Sequence, residues 1–312
     1  MSSIDKSQFE LIGARTGESE TIRRPITSYW RDAMHRLSKN KVAMVCLAII
    51  IIITLGSIII PMVSPYTMSE QHLSHTDAPM GFKDKIDGHV HLFGTDTLGR
   101  DIFTRLWDGA RVSLGIAFAA VFINFLIGVI YGGISGYMGG AVDNLMMRII
   151  EIINGIPYLI IVILLMMVLP PGVLTMVIAY ATVGWTGMAR LIRGQIMTLK
   201  QQDFVIAAKV MGARPSRIIA KHLLPNTLSV VIVNITLAIP SIIFTEAFLS
   251  YIGLGVPVPQ ASWGTLASDG SQVFQMFPSQ LFIPAICISL TMLSFNLLGD
   301  GLRDALDPKL RR

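Results

Sequence analysis

The chain has 312 residues, of which 52% are hydrophobic and only 14% are charged, and its net charge is +5. Its mean hydropathy of +0.61 is too high for a water-soluble protein of this length, which excludes the soluble classes. We therefore predict a polytopic membrane protein of the all-α class.

The N-terminal segment has two parts. Residues 1–24 are polar and predict a cytoplasmic tail. Residues 25–41, "PITSYWRDAMHRLSKNK", place Trp30, Ala33, Met34 and Leu37 on one helical face. This pattern predicts an amphipathic helix on the membrane surface, and a helix packed on a partner is the alternative.

Six apolar stretches are long enough to span a bilayer, since ~20 residues at about 1.5 Å each cross a hydrocarbon core of ~30 Å. The first stretch is too long for a signal-peptide core and lacks a cleavage pattern, so we expect it to remain as a span. Cys46 and Cys287 both fall in spans, where they are expected to be core residues. We place the spans at 42–63, 112–137, 144–169, 173–191, 223–251 and 281–298, so that 106–302 forms a core of five spans.

The loop at 64–105 is polar and contains His72, His75, His89 and His91. Imidazole is a common metal ligand. The spacings match no closed metal site and we expect no acidic ligand beside them, so ordinary surface histidines are favoured and no metal site is predicted.

Gly128, Gly132 and Gly136 recur at every fourth position of the second span and therefore share one helix face. Such a face allows another helix to approach closely. We predict tight helix packing here, with a hinge as the alternative.

The distribution of Lys and Arg predicts the orientation, because positive charge in short loops stays on the cytoplasmic side. Residues 1–41 carry eight, residues 190–221 carry seven and the tail at 303–312 carries four, whereas residues 253–280 carry none. Both termini and the segment around 203–226 are predicted to face the cytoplasm, and the loop at 64–105 the outside.

The cytoplasmic segment "DFVIAAKVMGARPSRIIAKHLLPN", residues 203–226, predicts two short helices meeting at a corner. Asp203 is expected to cap the first helix, Gly212 to end it and Pro215 to start the second. Ala207 and Ala208 leave a face without bulky side chains that could seat in a groove. Pro225 allows a bend where the chain re-enters the lipid.

This segment resembles the "EAA" loop of permeases in the ABC importer superfamily, except that Ile206 replaces the Glu. "FGTDTLGRDIFTRL", "GYMGGAVDNLMMRIIEI", "WTGMARLIRGQ", "EAFLSYIGLG", "SWGTLASDG" and "GDGLRDALDP" resemble the oligopeptide and dipeptide branch, specifically its second permease subunit. The resemblance implies the type I importer permease fold with a coupling helix at about 203–215 that docks on an ATPase. The implied coupling residues are Asp203, Ala207, Ala208, Lys209, Gly212, Arg217, Leu224 and Pro225.

The chain has no Gly-Lys dipeptide and hence no phosphate-binding Walker loop, so it is not expected to be an enzyme or to hold a cofactor. The resemblance implies that partner subunits bind ATP and Mg. The implied partners are a homologous permease, two cytoplasmic ATPase subunits, an extracytoplasmic peptide-binding protein and membrane lipid, with no nucleic acid. The implied location is the bacterial cytoplasmic membrane.

Polar groups within the membrane are candidates for the translocation pathway or a gate. Glu246 is expected to line the pathway, to brace the outer gate or to form a plain interfacial salt bridge. Asn124 and Asn234 are candidates for the pathway or for contacts between helices, and Trp263 is expected to anchor an ordered external loop.

Three functional readings remain. An importer permease for peptides leads, and a permease for nickel chelates or another small solute on the same framework is its alternative. An ATP-independent secondary transporter would need ionisable groups at mid-membrane. A membrane enzyme would need a nucleophile and base or a metal, and the sequence shows neither constellation.

Overall fold

A computed structural model of the chain describes residues 29–84 and 88–307. The predicted tail at 1–24 and residues 308–312 of the C-terminal tail lie outside them. Apart from one hairpin, the regular secondary structure of the described residues is helical. The helices are α1 (Tyr29–Lys39), α2 (Lys41–Val63), α3 (Ile102–Met138), α4 (Gly140–Asn154), α5 (Tyr158–Val168), α6 (Val173–Leu199), α7 (Asp203–Val210), α8 (Pro215–Ile218), α9 (Leu224–Leu249), α10 (Trp263–Gln272) and α11 (Pro278–Leu306), and the antiparallel hairpin is β1 (Phe82–Lys83) with β2 (Val90–His91).

Four helical segments are long and apolar enough to cross a membrane: α2, α3, the run Pro215–Leu254 and α11. Helices α4 and α5 qualify together as a fifth span, although they are bent by 74°. The prediction of one helix over 144–169 is therefore wrong. The break lies at Gly155 to Pro157, because proline has no N–H to donate and disfavours helical geometry in the residue before it.

Helix α6 covers the predicted fourth span but does not reach the same apolarity. It packs along α3 and also contacts α4, α5 and α9, so Thr175, Trp185 and Thr186 are buried against protein. A helix enclosed by other helices need not present an apolar surface to lipid on every side. The prediction of six spans thus holds for four helices, and for a fifth if the bent pair counts as one, while α6 remains a predicted sixth.

The helix predicted before the first span is present as α1, but only two of its four apolar residues are buried. Ala33 and Leu37 are buried, and the Tyr29 hydroxyl donates to the Leu306 carbonyl at 2.7 Å, so α1 packs on α11. Trp30 and Met34 are 44% and 64% exposed. The two faces suit a helix that lies between its own bundle and a surrounding surface.

The segment between Gly255 and Pro278 contains a helix that the sequence reading missed, since only an ordered loop was expected there. Ser262 caps α10, accepting from the Thr265 N–H at 3.2 Å, while the Ser262 N–H donates back to the Thr265 hydroxyl at 2.8 Å. This capping box was the available signal. It fixes the start of α10 beside α3 and α11.

A charged cluster joins α10 to the loop that precedes α3. Asp96 accepts from Arg100 Nε at 2.7 Å and lies 3.1 Å from Arg105 Nη1, and Arg105 Nη2 reaches Asp269 at 3.4 Å. Partial burial raises the pKa of the Asp269 carboxyl, while the charges of Arg105 and Arg100 oppose that rise. The loop and α10 are therefore joined at one end of the bundle, and we call them the outer cap after the side on which the sequence predicts the loop.

Candidate functional site

The elbow, defined as residues 203–225, joins α6 to α9. Helix α7 begins at Asp203, but Gln202 occupies the cap position, so the prediction that Asp203 caps the helix is wrong. Asp203 instead lies in the first turn of α7, where the positive end of the helix dipole stabilises its carboxylate. Gly212 has φ +78°, which confirms the predicted left-handed stop, and Pro215 starts α8 as predicted.

The two alanines of α7 face opposite ways. Ala207 is exposed, whereas Ala208 is only 3% exposed and packs among Val205, Ile218 and Leu223. The prediction that Ala208 belongs to a face offered to a groove is therefore wrong. Its small side chain instead lets α7 lie close to the chain's own core.

The outward face of α7 is apolar. Phe204 and Ile206 are 41% and 49% exposed, and Val210 and Met211 are 83% and 80% exposed. We call these four residues the apolar face of the elbow. Exposed apolar residues on one short helix are typical of a protein-binding surface, and the sequence analysis did not single them out because it concentrated on the alanines.

Basic side chains border this face. The Lys209 ammonium lies 5.4 Å from the centroid of the Tyr137 ring, near the end of α3. Arg214 and Arg217 are exposed and form no ion pair among residues 29–84 and 88–307. They therefore remain available to acidic groups on a partner.

The elbow is attached firmly to the bundle. Val205, Ala208, Ile218 and Leu223 form one core cluster with Ile192 and Ile196 of α6 and Val231 of α9. Lys200, just before the elbow, donates to the Gly136 carbonyl of α3 at 2.9 Å. A force applied to α7 would thus reach α3, α6 and α9 through packed side chains.

The helix continues through Pro225, the position at which the sequence allows a bend. Residues from Pro215 to Leu254 form one helical run, in which Ile219–Leu223 is a π-helical turn and Leu224 begins α9. The Leu224 N–H donates to the Ile219 carbonyl, five residues back. This wider turn makes room for the ring of Pro225 and keeps the helix continuous.

The three stacked glycines lie where α3 meets α6. An added Cβ would lie 2.6 Å from Met188 Cβ at Gly128, 3.0 Å from the Ala189 carbonyl carbon at Gly132 and 2.8 Å from the Arg193 oxygen at Gly136. These separations leave no space for a methyl group. The geometry is that of close helix packing rather than a hinge.

A salt bridge joins α6 to α4. Arg193 of α6 donates from Nε and Nη2 to the two oxygens of Asp143 of α4, both at 2.5 Å. Within α4, Arg148 Nη1 donates to Glu151 Oε2, one turn later, at 2.8 Å. Asp143 is buried, so a bidentate pair is the arrangement that satisfies it.

Glu246 occupies a second site beneath the outer cap. Its side chain is fully buried and accepts from the hydroxyls of Ser113 and Ser250, each at 2.7 Å. Trp263 of α10 donates its N–H to Ser113 at 3.2 Å and its indole Nε1 to the Leu106 carbonyl at 3.1 Å. Glu246 thus connects α3, α9 and α10 through hydroxyl groups, and a plain interfacial salt bridge is not what the structure shows.

The two asparagines lie in different surroundings. The Asn124 amide carbon would lie 2.9 Å from a Cβ added at Gly184, so Asn124 is at the contact of α3 with α6. Asn234 is exposed on α9, where it lines a cavity with Leu191 and Arg303. Of the pair, Asn234 is the one open to a partner or a solute.

The chain is similar to several known proteins. Residues 124–312 match the family described as binding-protein-dependent transport system inner membrane component, and residues 28–79 match the N-terminal TM domain of oligopeptide transport permease C. The chain is 51% identical over 312 residues to the oligopeptide transport system permease protein OppC of Bacillus subtilis, covering 100% of both chains. It is 49% identical to the dipeptide transport system permease protein DppC of the same organism, covering 97% of this chain and 93% of the relative. A solved chain of the inward-facing MetNI methionine ABC transporter is similar over 65% of this chain and 96% of its own, with 20% identity and a TM-score of 0.49.

Proposed function

The chain belongs to the family of binding-protein-dependent transport system inner membrane components, and from that premise we propose that it carries oligopeptides or dipeptides through its translocation pathway. Full-length identity of 51% to an oligopeptide permease is the observation that carries the substrate class. The chain is a non-catalytic permease subunit of a bacterial inner membrane importer.

The assembly we propose contains four kinds of component besides this chain. A homologous permease supplies the other half of the pathway, and two ATPase subunits bind ATP and Mg on the cytoplasmic side. An extracytoplasmic binding protein delivers the peptide, and lipid surrounds the outer surface. Exposed apolar residues on α2, such as Ile52 and Ile59, support that lipid contact.

We propose that both termini and the elbow face the cytoplasm. The seven Lys and Arg residues in 190–221 support this orientation, as does their absence from 253–280. The loop at 64–105 and α10 would then form the outer cap that meets the binding protein.

Coupling would act through the elbow. The apolar face of the elbow would bury against an ATPase, with Lys209, Arg214 and Arg217 at the rim of the contact. Asp203, Ala207 and Gly212 would set the position of the helix, while Leu224 and Pro225 would transmit its motion into α9. Because α7 shares a core with α6 and α9, closure of the ATPases would move these helices as one body.

Glu246 and Trp263 would brace the outer gate rather than touch the solute, since both are fully or almost fully buried. Among the predicted pathway residues, Asn234 is the one exposed enough to contact a solute. Asn124 would serve the contact between helices.

The test is transport by the complete complex in proteoliposomes with the binding protein outside and ATP inside. We expect ATP-dependent accumulation of a labelled oligopeptide or dipeptide. Accumulation of a nickel chelate with no peptide uptake would favour the alternative solute, and accumulation by this chain without any ATPase would refute the importer mechanism.

A further inference from the structure

A second cluster of polar side chains lies in the loop between α2 and α3, away from the elbow. His72, His75 and Asp84 each offer one ligand atom, and these atoms all lie within 4.8 Å of one another. Two imidazoles with a carboxylate are a ligand set that zinc and similar ions take in proteins. We propose that these three residues bind one divalent transition-metal ion of the zinc type.

The backbone holds both histidines in place. His72 precedes the 3-10 turn Leu73–His75 and His75 is its last residue. Because three residues make one turn of a 3-10 helix, the two side chains point the same way. The two rings are almost parallel, at 19°, with centroids 6.4 Å apart. Gly99 has φ +72° and lies so close to His72 that a side chain there would overlap the His72 carbonyl group.

The hairpin supplies the third ligand. The Asp84 N–H donates to the His89 carbonyl at 2.9 Å, which places the Asp84 carboxylate at the end of β1. The expectation that no acidic ligand lies beside the histidines is therefore wrong, because the pairing of β1 with β2 brings in a residue nine positions after His75.

One buried atom points directly to a ligand. His75 Nδ1 is buried and lies 3.2 Å from Asp84 Oδ2 but makes no hydrogen bond. A buried imidazole nitrogen without a hydrogen bond is costly, and a cation beside it would accept its lone pair.

The separation of the atoms fits a site that closes on its ion. Tetrahedral zinc with bonds of about 2.0 Å brings its ligand atoms to roughly 3.3 Å from one another. The cluster must therefore contract, and His72, with a side chain 25% exposed, is free to turn inward. Glu70, whose Oε1 lies 3.3 Å from His72 Nε2, is positioned to fill the fourth place.

The experiment measures zinc binding to the complete transporter, purified without a histidine tag and stripped with a chelator. Isothermal titration with ZnCl₂ should show that His75→Ala and Asp84→Asn each remove one zinc per complex, or weaken its binding by more than the roughly 10- to 100-fold that loss of an outer-shell partner costs. The partner subunits are the same in every sample, so the difference reports on this chain.

His35→Ala is the matched control, since His35 is exposed on α1 and should leave zinc binding unchanged. His72→Ala, at the more exposed ligand, provides a variant that is expected to fold normally. Unchanged zinc stoichiometry and affinity in all three ligand variants would overturn the site, as would equal binding of Mg²⁺, which imidazole ligands disfavour. Zinc binding needs no transport, so this result is independent of the proposed function.

Discussion

Replacing Met211 by Ser tests whether the apolar face of the elbow docks on an ATPase. Met211 is 80% exposed and follows the last residue of α7, so the change should alter folding stability by no more than about 0.5 kcal/mol. In the assembled transporter the same side chain would be buried.

The size of the effect follows from that burial. Full burial of a Met side chain contributes ~1.5–3 kcal/mol. With 80% of Met211 exposed before docking, its loss should cost about 1.2–2.4 kcal/mol, which is roughly 8- to 60-fold in the dissociation constant for the ATPase.

The assay titrates the isolated ATPase onto the permease pair in nanodiscs and then measures peptide uptake per ATP hydrolysed in proteoliposomes. Met276→Ser is the matched control, because Met276 is 81% exposed but lies between α10 and α11 in the predicted outer cap. An ATPase affinity for Met211→Ser that equals the wild-type value, with normal uptake, would show that this face does not dock.

Three further predictions test other parts of the structure. Gly132→Ala should lower the melting temperature and the yield of assembled transporter, because its methyl group would meet the backbone of α6 at Ala189. Gly187→Ala is the control: no atom lies near the added methyl group, so this change should be neutral or slightly stabilising. Equal effects of the two changes would refute the close contact at Gly132. Glu246→Gln should retain peptide uptake because the amide oxygen still accepts a hydrogen bond from one hydroxyl, while Glu246→Ala should lower the free energy of unfolding by ~1–3 kcal/mol in a thermal unfolding assay. Loss of uptake in Glu246→Gln at normal stability would assign the charge itself a role in transport. Ile206→Glu should reduce ATP-coupled uptake less than Met211→Ser does, because Ile206 is 49% exposed against 80% for Met211 and the family loop has Glu at this place; a larger loss than that of Met211→Ser would show that the apolar contact at Ile206 is specific.

The sequence predicted the elements whose signal is local. Long apolar runs indicated α2, α3, α9 and α11, because the bilayer requires apolar surface over a fixed length. Gly212 and Pro215 indicated the corner of the elbow, since their backbone restrictions hold in any surroundings. The spacing of Gly128 to Gly136 indicated a close contact for the same reason, although not its partner helix.

Features that depend on tertiary contacts were not predictable in this way. Helix α7 has only eight residues and is apolar on both faces, so periodicity did not show that Ala208 turns inward and Val210 outward. Asp84 joins His72 and His75 through the pairing of two strands of two residues each, which carry almost no sequence signal. Burial of Glu246 depends on the hydroxyl of Ser113 in α3 as well as that of Ser250, one turn along its own helical run.

The two ends of α9 explain how a docking event at the elbow could reach the outer cap. At the end nearer the elbow, the π-helical turn Ile219–Leu223 keeps the helix continuous past Pro225, so α8 is joined to α9 without a break. At the other end, Glu246 holds α9 to Ser113 of α3, and Trp263 holds α10 to Ser113 and Leu106 of the same helix. Packed helices move between discrete arrangements because their cores do not deform continuously. Under the proposed function, a shift of α9 relative to α3 would break the hydrogen bond between Glu246 and Ser113, so this junction is where motion of the elbow would reach the proposed gate.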